Sequence, residues 1–172
     1  MITGKQYAEQ AQSSKYDKLK YSQYDCQAFA EKVLNDLTGK NYNWRGSNDM
    51  WRNALSWKGT IEECKTLFGE IPVGCWVFMH SFDGGEVARG YHDNEGNASH
   101  VGIYCRPDAA QQVRDSTKGT GRDGVGYRKL SDFNMIGLPK VISYGTDPAP
   151  VVPGKAEALK ALEILTNFMK GV

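Results

Sequence analysis

The stretch "HVGIYC", residues 100–105, is a short run of β-forming residues. Successive side chains of a strand point to opposite faces, so a strand here would place His100 and Tyr104 on one face and Val101 and Ile103 on the other. The pattern therefore predicts a strand that is apolar on one side and begins with a histidine.

Similar runs lie on both sides of this stretch and predict further strands. The polar, glycine-rich segment 80–99 precedes it, as expected for a hairpin-like excursion. The other strand-like runs are "GCWVFM" (74–79), "QQVRDST" (111–117), "GVGYRKL" (124–130) and "KVISYG" (140–145). Helical patterns come earlier in the chain, so we expect an α+β fold with N-terminal helices on one face of an antiparallel meander.

Two helices are predicted before the strands. Thr3 is a candidate cap for a moderately polar helix over residues 3–16. Ser22 and Asp25 form an S-x-x-D capping pattern for the second helix, which Thr38 and Gly39 should end. Apolar residues recur in that second helix at helical spacing, at Cys26, Phe29, Ala30, Val33 and Leu37.

Cys26 would lie in the first turn of the second helix. Unpaired N–H groups and the positive end of the helix dipole favour a thiolate there, and an N–H can also donate to an oxyanion. The alternative is that Cys26 packs as a small buried apolar residue. A histidine that starts a later strand, such as His100, is the base that a cysteine nucleophile requires where helix and sheet meet.

Composition limits the classes of function. The 172 residues include 21 Lys and Arg against 20 Asp and Glu, which gives no broad basic surface for nucleic acid or an anionic membrane. No apolar run is long enough to span a bilayer, and the start "MITGKQYAEQAQ" lacks the pattern of a Sec signal.

The four cysteines are widely spaced, which favours reduced thiols over a disulfide framework. A metal site would have to be built from residues without the close pairs typical of zinc modules, namely Cys64, Cys75, Cys105, His80 and His92. We therefore expect neither a metal nor another cofactor.

The middle of the chain, residues 41–70, is rich in Trp, Asn and Gly and has little clean periodicity. We expect loops with one short helix there. Trp44, Trp51 and Trp57 are candidates for the wall of a substrate groove, with packing over an irregular layer as the alternative.

Three segments together resemble one known family, the NlpC/P60 peptidases, papain-like cysteine hydrolases of bacterial cell-wall peptides. "YDCQAFAEKVL" is similar to the family's Tyr-Asp-Cys-Ser-Gly-Phe helix start and "IPVGCWVFM" to its Pro-Gly-Asp-Leu-Val-Phe-Phe strand. "SHVGIYC" resembles its His-Val-Gly-Ile-Tyr strand. The resemblance covers about residues 4 to 145.

The resemblance implies roles for individual residues. Cys26 matches the nucleophile and His100 the general base. "VRDST" is similar to the family's Val-Ile-His-Ala-Ser segment, so Asp115 corresponds to the third, orienting residue. Arg114 and Ser116 are the alternatives if the register differs by one.

The resemblance also implies a substrate pocket around the helix start. Tyr24 and Asp25 would face the free amine of a peptide stem. Gln27 and Ala28 replace the family's Ser-Gly, which leaves the cleaved bond open. Trp44 and Trp51 would form one wall of the groove.

We expect residues 1–145 to form the catalytic domain, 146–154 a proline-rich linker and 155–172 an amphipathic helix. That helix could dock on the domain, pair with a copy of itself or lead into a further module.

The expected activity is hydrolysis of amide bonds in peptidoglycan peptides, in a phage or prophage setting that the family suggests. An acyltransferase or amidase with another substrate, and a catalytically silent wall-binding module, are the alternatives.

Overall fold

The computed structural model describes residues 1–82, 90–119 and 121–145. Within them the chain forms four α-helices, eight strands and two short 3₁₀ turns, at Ser14–Tyr16 and Leu130–Asp132. In chain order the helices and strands are β1 (Ile2–Thr3), α1 (Gly4–Ala11), α2 (Cys26–Thr38), α3 (Ser47–Asn53), β2 (Leu55–Thr60), α4 (Ile61–Phe68), β3 (Trp76–Ser81), β4 (Asn97–Tyr104), β5 (Val113–Gly119), β6 (Arg122–Arg128), β7 (Met135–Pro139) and β8 (Ile142–Ser143).

Six of these strands form one antiparallel sheet in the order β2-β7-β3-β4-β5-β6. The strands β3 to β6 are a meander, as predicted. The strand that comes last in the sequence of this sheet, β7, lies between β2 and β3. The sheet as a whole is therefore not a simple meander. The short strands β1 and β8 pair in parallel and bring the two ends of the described fold together.

The predicted helix ends are confirmed with two corrections. The first predicted helix, over residues 3–16, ends at Ala11, and a separate 3₁₀ turn forms at Ser14–Tyr16. Thr3 caps α1 in a capping box with Gln6, and Gly39 ends α2 in the left-handed conformation, with φ 68°. The cap of α2 is Asp25, whose side chain accepts the Ala28 N–H at 2.9 Å. The predicted S-x-x-D box from Ser22 was wrong by one turn, because Asp25 itself satisfies the first free N–H groups of the helix.

The middle segment is more ordered than we predicted. Besides α3 it contains β2 and α4, both missed from the sequence. The strand β2 lies at an edge of the sheet, and a bulge between Leu55 and Trp57 interrupts its alternation. The start of α4 did carry a local signal, since Thr60 and Glu63 form a capping box.

The end of the described chain also differs from the prediction. The strand expected at 140–145 is reduced to the two residues of β8, and the sheet strand is β7. Gly137 and Pro139 lie within β7, and both residue types are unusual in strands, which explains why the run was missed. The predicted linker and amphipathic helix, residues 146–172, lie outside the described residues.

Side chains pack on both faces of the sheet. On one face α1, α2 and α3 cover Trp76 and Phe78 of β3. The Tyr7 hydroxyl accepts from Trp76 Nε1 at 3.0 Å and donates to the Ala30 carbonyl at 2.9 Å, which ties α1, α2 and β3 together. On the other face Cys64 of α4 packs in a cluster that includes Val77.

The prediction of N-terminal helices on one face therefore holds for α1 to α3 and is wrong for α4, which follows β2 and covers the second face.

Candidate functional site

Cys26 is the first residue of α2, directly after the capping Asp25. It is 7% exposed and lies at the edge of the core formed with α1 and α3. Its backbone N–H belongs to the first turn, whose N–H groups have no partner within the helix. The cysteine therefore combines a mostly buried side chain with a donor available to an incoming group.

His100 lies on β4, next to the start of α2 that carries Cys26. The predicted alternation is confirmed, because Val101 and Ile103 pack with the helices while Tyr104 packs in the cluster on the opposite face. The imidazole is stacked beside Phe133, with ring centroids 6.0 Å apart. This packing fixes the plane of the ring.

The two ring nitrogens of His100 serve different partners. Nε2 lies 2.6 Å from Asp115 Oδ2, and the Cys26 side chain is close enough to the imidazole to raise its pKa. Because Nε2 is engaged by the carboxylate, Nδ1 is the nitrogen left to face the thiol. The three side chains thus form a line from sulfur through imidazole to carboxylate.

The charge state of His100 follows from these partners. Burial lowers the pKa of the imidazole, but the hydrogen bonds and charges of Asp115 and Cys26 raise it by more, to about 9. The imidazole is therefore held between Cys26 and Asp115 with its protonated form favoured.

Asp115 is fully buried on β5 and is held by two further cations. Arg122 Nη2 donates to its Oδ1, and Arg128 Nη1 lies 3.5 Å from its Oδ2. Three cationic groups, His100, Arg122 and Arg128, therefore surround this buried carboxylate. Asp115 is thus placed to accept the His100 Nε2–H.

Strand register and close packing bring Asp115 to His100. The pairs Ile103↔Arg114 and Tyr104↔Val113 put Gly102 opposite Asp115. A Cβ on Gly102 would lie 2.4 Å from Val113 Cγ1, so a larger residue there would push the strands apart.

The loop before α2 is fixed by β5 and β6. Ser116 Oγ donates to the Tyr24 carbonyl at 2.5 Å, and the Val125 N–H donates to the Leu19 carbonyl at 3.2 Å. Gly124, with φ 125°, allows this approach, because a Cβ there would lie 2.0 Å from the Leu19 oxygen. The same two strands therefore carry Asp115 and set the position of Cys26.

The alternative register residues point elsewhere. Arg114 is buried on the opposite face of β5 and pairs with Asp17 and Tyr127. Ser116 supports the Tyr24 loop as described above. Of the three candidates on this strand, Asp115 is the one that contacts His100.

The predicted substrate residues fall into two groups. Asp25 is exposed at the helix start but its carboxylate caps α2, while Tyr24 and Gln27 are half-buried beside it. Gln27 hydrogen-bonds to Glu31, which also accepts the Trp44 N–H. These residues surround the amino-terminal end of α2 and remain candidates for substrate contact.

The two predicted tryptophans differ. Trp44 is half-buried, stacks on Tyr42 at 5.5 Å and meets Trp76 edge-on at 5.4 Å. Trp51 is 2% exposed and packs edge-on against Phe78 at 5.2 Å. Trp51 therefore lies in the core beneath the surface and does not form an open groove wall in this structure.

The other three cysteines are buried without such partners. Burial raises the pKa of Cys64 to about 11 and that of Cys105 to about 12, and it raises the pKa of Cys75 well above its ordinary value. All four cysteines are free. The residues with raised values are protonated at neutral pH, which leaves Cys26 as the cysteine placed beside a base.

Sequence reasoning missed Arg122 and Arg128. Both lie on β6, where Gly126 is paired directly with Asp115. Gly126 leaves room for the Arg122 guanidinium, because a Cβ there would lie 2.3 Å from Nη1. Only the pairing register could have revealed this, since neither arginine belongs to a recognisable motif.

The described residues contain no group of three or more His, Cys, Asp or Glu side chains that could hold a metal ion. None of the helices in the described part of the chain is long and apolar enough to cross a membrane. Comparisons with protein-family models, curated proteins and solved structures find no match to this chain.

Proposed function

We propose that this chain is a cysteine hydrolase that cleaves amide bonds in bacterial cell-wall peptides, with Cys26 as nucleophile, His100 as general base and Asp115 as the orienting residue. The observation that carries the proposal is the continuous line from Cys26 through His100 to Asp115. The wall-peptide substrate and the papain-like fold rest on the resemblance of residues 24–34, 71–79 and 99–105 to the NlpC/P60 peptidases.

In the reactive state the proton of the Cys26 thiol has passed to His100 Nδ1, so that a thiolate lies beside an imidazolium. The sulfur then attacks the amide carbon, and a carbon–sulfur bond forms as the carbonyl oxygen becomes an oxyanion. The Cys26 N–H donates to that oxyanion, a contact worth about 3 kcal/mol of transition-state stabilisation in other enzymes.

Collapse of this intermediate breaks the carbon–nitrogen bond. The imidazolium of His100 gives its proton to the leaving amine, and a thioester remains on Cys26. Water then attacks the thioester while His100 takes its proton, which releases a carboxylic acid and restores the thiol. Asp115 accepts from Nε2 throughout and stabilises the imidazolium.

The test is digestion of purified peptidoglycan by the full chain and by Cys26→Ala, followed by mass analysis of the soluble fragments. New amine and carboxyl ends that appear only with the intact cysteine are expected. Cys105→Ala is the matched control, because Cys105 is also buried but lies away from His100 and should keep the activity if the variant folds.

The opposite outcome identifies the alternatives. Absence of fragments from several wall chemistries, together with a Cys26 thioester trapped from a lipid or other acyl donor, would favour an acyltransferase. Retention on sacculi without fragments or thioester would favour a silent binding module.

A further inference from the structure

A concave site lies beside Arg122 and Arg128, the two arginines that hold Asp115. This cavity has a volume of about 400 Å³ and is lined by Gln111, Arg122, Tyr127, Arg128, Lys129 and Asp132. Neither Cys26 nor His100 lines it. A larger cavity of about 430 Å³, around Gln12 and Cys105 to Ala109, is separate from both.

The lining of the Asp115-side cavity is strongly cationic. Three of its six side chains are positively charged and one, Asp132, is negative. The Asp132 carboxylate is 40% exposed and meets Arg128 Nε at 3.3 Å. Arg122 and Arg128 are only 23% and 18% exposed, so water screens their charges less than it screens those of surface lysines.

The internal partners of the two arginines do not balance their charge. Asp115 is shared among Arg122, Arg128 and His100. Asp132 compensates part of the Arg128 charge from the solvent side. Arg122, Arg128 and Lys129 all line the cavity, so an anion there would meet positive charge that the two carboxylates compensate only in part.

We propose that this cavity binds a carboxylate group, held by Arg122, Arg128 and Lys129. Guanidinium groups match carboxylates in planar, paired geometry. A carboxylate group suits the cavity better than a phosphate dianion, because the Asp132 carboxylate lines the cavity and repels the additional negative charge. Occupancy would be coupled to the triad, since the same two guanidiniums hold Asp115.

Two kinds of molecule can supply the carboxylate group that binds here. It is either a carboxylate of the peptide substrate or that of a separate small molecule. The first source rests on the proposed function, whereas binding itself does not depend on it.

The binding experiment uses glutarate as the probe and the full chain carrying Cys26→Ala, so that no catalysis is needed. Titration followed by NMR should show saturable shifts at Arg122, Arg128 and Lys129. Because a charge-assisted hydrogen bond is lost, Arg128→Gln should weaken binding about tenfold or more. Lys129→Gln, which touches no residue of the triad, should weaken it about threefold.

Lys118→Gln is the matched control, because Lys118 is exposed on the same hairpin but does not line the cavity. It should bind glutarate as the parent does. Three results would overturn the proposal. The first is that the parent chain shows no saturable binding of glutarate, and the second is that Lys118→Gln and Lys129→Gln bind glutarate equally well. The third is tighter binding of inorganic phosphate than of glutarate.

Kinetics with the active chain then separates the two sources. If the site holds the substrate's carboxylate, glutarate raises KM for the peptide and leaves kcat unchanged. If it holds a separate molecule, glutarate changes kcat, because Arg122 and Arg128 pass the change to Asp115. A chain that binds glutarate but cleaves no wall peptide would retain the carboxylate site and refute the proposed function.

Discussion

His100 and His80 are the same residue type in two similar positions with opposite chemistry. They lie on the adjacent strands β4 and β3 and are 9% and 7% exposed. His100 meets Cys26 and Asp115, and its pKa is raised to about 9. Burial lowers the pKa of His80. The Glu95 backbone raises this pKa but offsets only part of the effect of burial.

Neither ring nitrogen of His80 has a hydrogen bond of good geometry to the described residues. Its ring packs between Trp51, at 4.6 Å, and Phe82, at 4.0 Å. The difference between the histidines shows that their partners, and not the extent of burial, decide whether a buried imidazole is a base or a packing residue.

The largest expected effect separates the two histidines by activity. His100→Gln should reduce the rate of wall-peptide cleavage by about 10³-fold or more, because the general base is lost. His80→Gln should leave kcat/KM within about twofold, since His80 contacts none of Cys26, His100 and Asp115. The measurement is fragment release per unit time, with circular dichroism to confirm that both variants fold.

Equal losses in the two variants would show that the comparison is wrong and that the strands, rather than the imidazole of His100, support the activity. Loss in His80→Gln alone would move the site to the other side of β3.

The second effect concerns Asp115, the carboxylate that His100 contacts and His80 does not. Asp115→Asn should lower kcat about 10²-fold, because the imidazolium loses its stabilising charge. It should also lower the free energy of unfolding by about 3 kcal/mol, since Arg122 would be left partly buried without a counter-ion and Arg128 would keep only Asp132. Steady-state kinetics and urea denaturation measure the two effects.

Asp123→Asn is the matched control, because Asp123 is exposed on the same hairpin. It should change neither quantity appreciably. An Asp115→Asn protein with full turnover would remove Asp115 from the proposed mechanism.

The contrast between the histidines could be predicted only in part from the sequence. The helix start at Cys26 had a local signal, its cap, and formed where expected. The alternation around His100 predicted a strand correctly, but β4 begins at Asn97, so His100 is its fourth residue and not its first. Nothing local distinguishes His80, which was considered as a metal ligand. Its surroundings depend on a bulge between Met79 and His80 that alters the strand register.

The same reason explains the parts of the fold that were missed. The strand β7 reaches the centre of the sheet by pairing with β2 and β3, which are distant in sequence. Arg122 and Arg128 reach Asp115 through the β5–β6 register. Patterns within one segment predict that segment, whereas pairing between segments depends on the packed whole.

The third effect is a difference in titration. His100 should titrate near pH 9 and His80 below its ordinary value of 6.5, as followed by the imidazole Cε1–H signals in NMR. The raised value of His100 means that its stabilising contribution is complete below about pH 6.5 and is lost as the pH rises through 9. The free energy of unfolding should therefore fall over that range in the wild type and fall less in His100→Gln. Two signals that both titrate near 6.5 would contradict the assigned partners.

The smallest effect should be found at His80. Because its ring nitrogens have no partner of good geometry among the described residues, the imidazole loses hydrogen bonds to water when the protein folds. His80→Leu removes those polar atoms but keeps an apolar group between Trp51 and Phe82, and the backbone bonds of residue 80 to Asn134 are unaffected. We expect the free energy of unfolding to rise by about 1 kcal/mol, measured by urea denaturation at pH 7.

Loss of the favourable ring contacts with Trp51 would work in the opposite direction, so His80→Phe, which retains an aromatic ring, serves as the matched variant. If both variants are destabilised by 2 kcal/mol or more, His80 has a polar partner in the folded protein, and its site is closer in kind to that of His100 than its lowered pKa indicates.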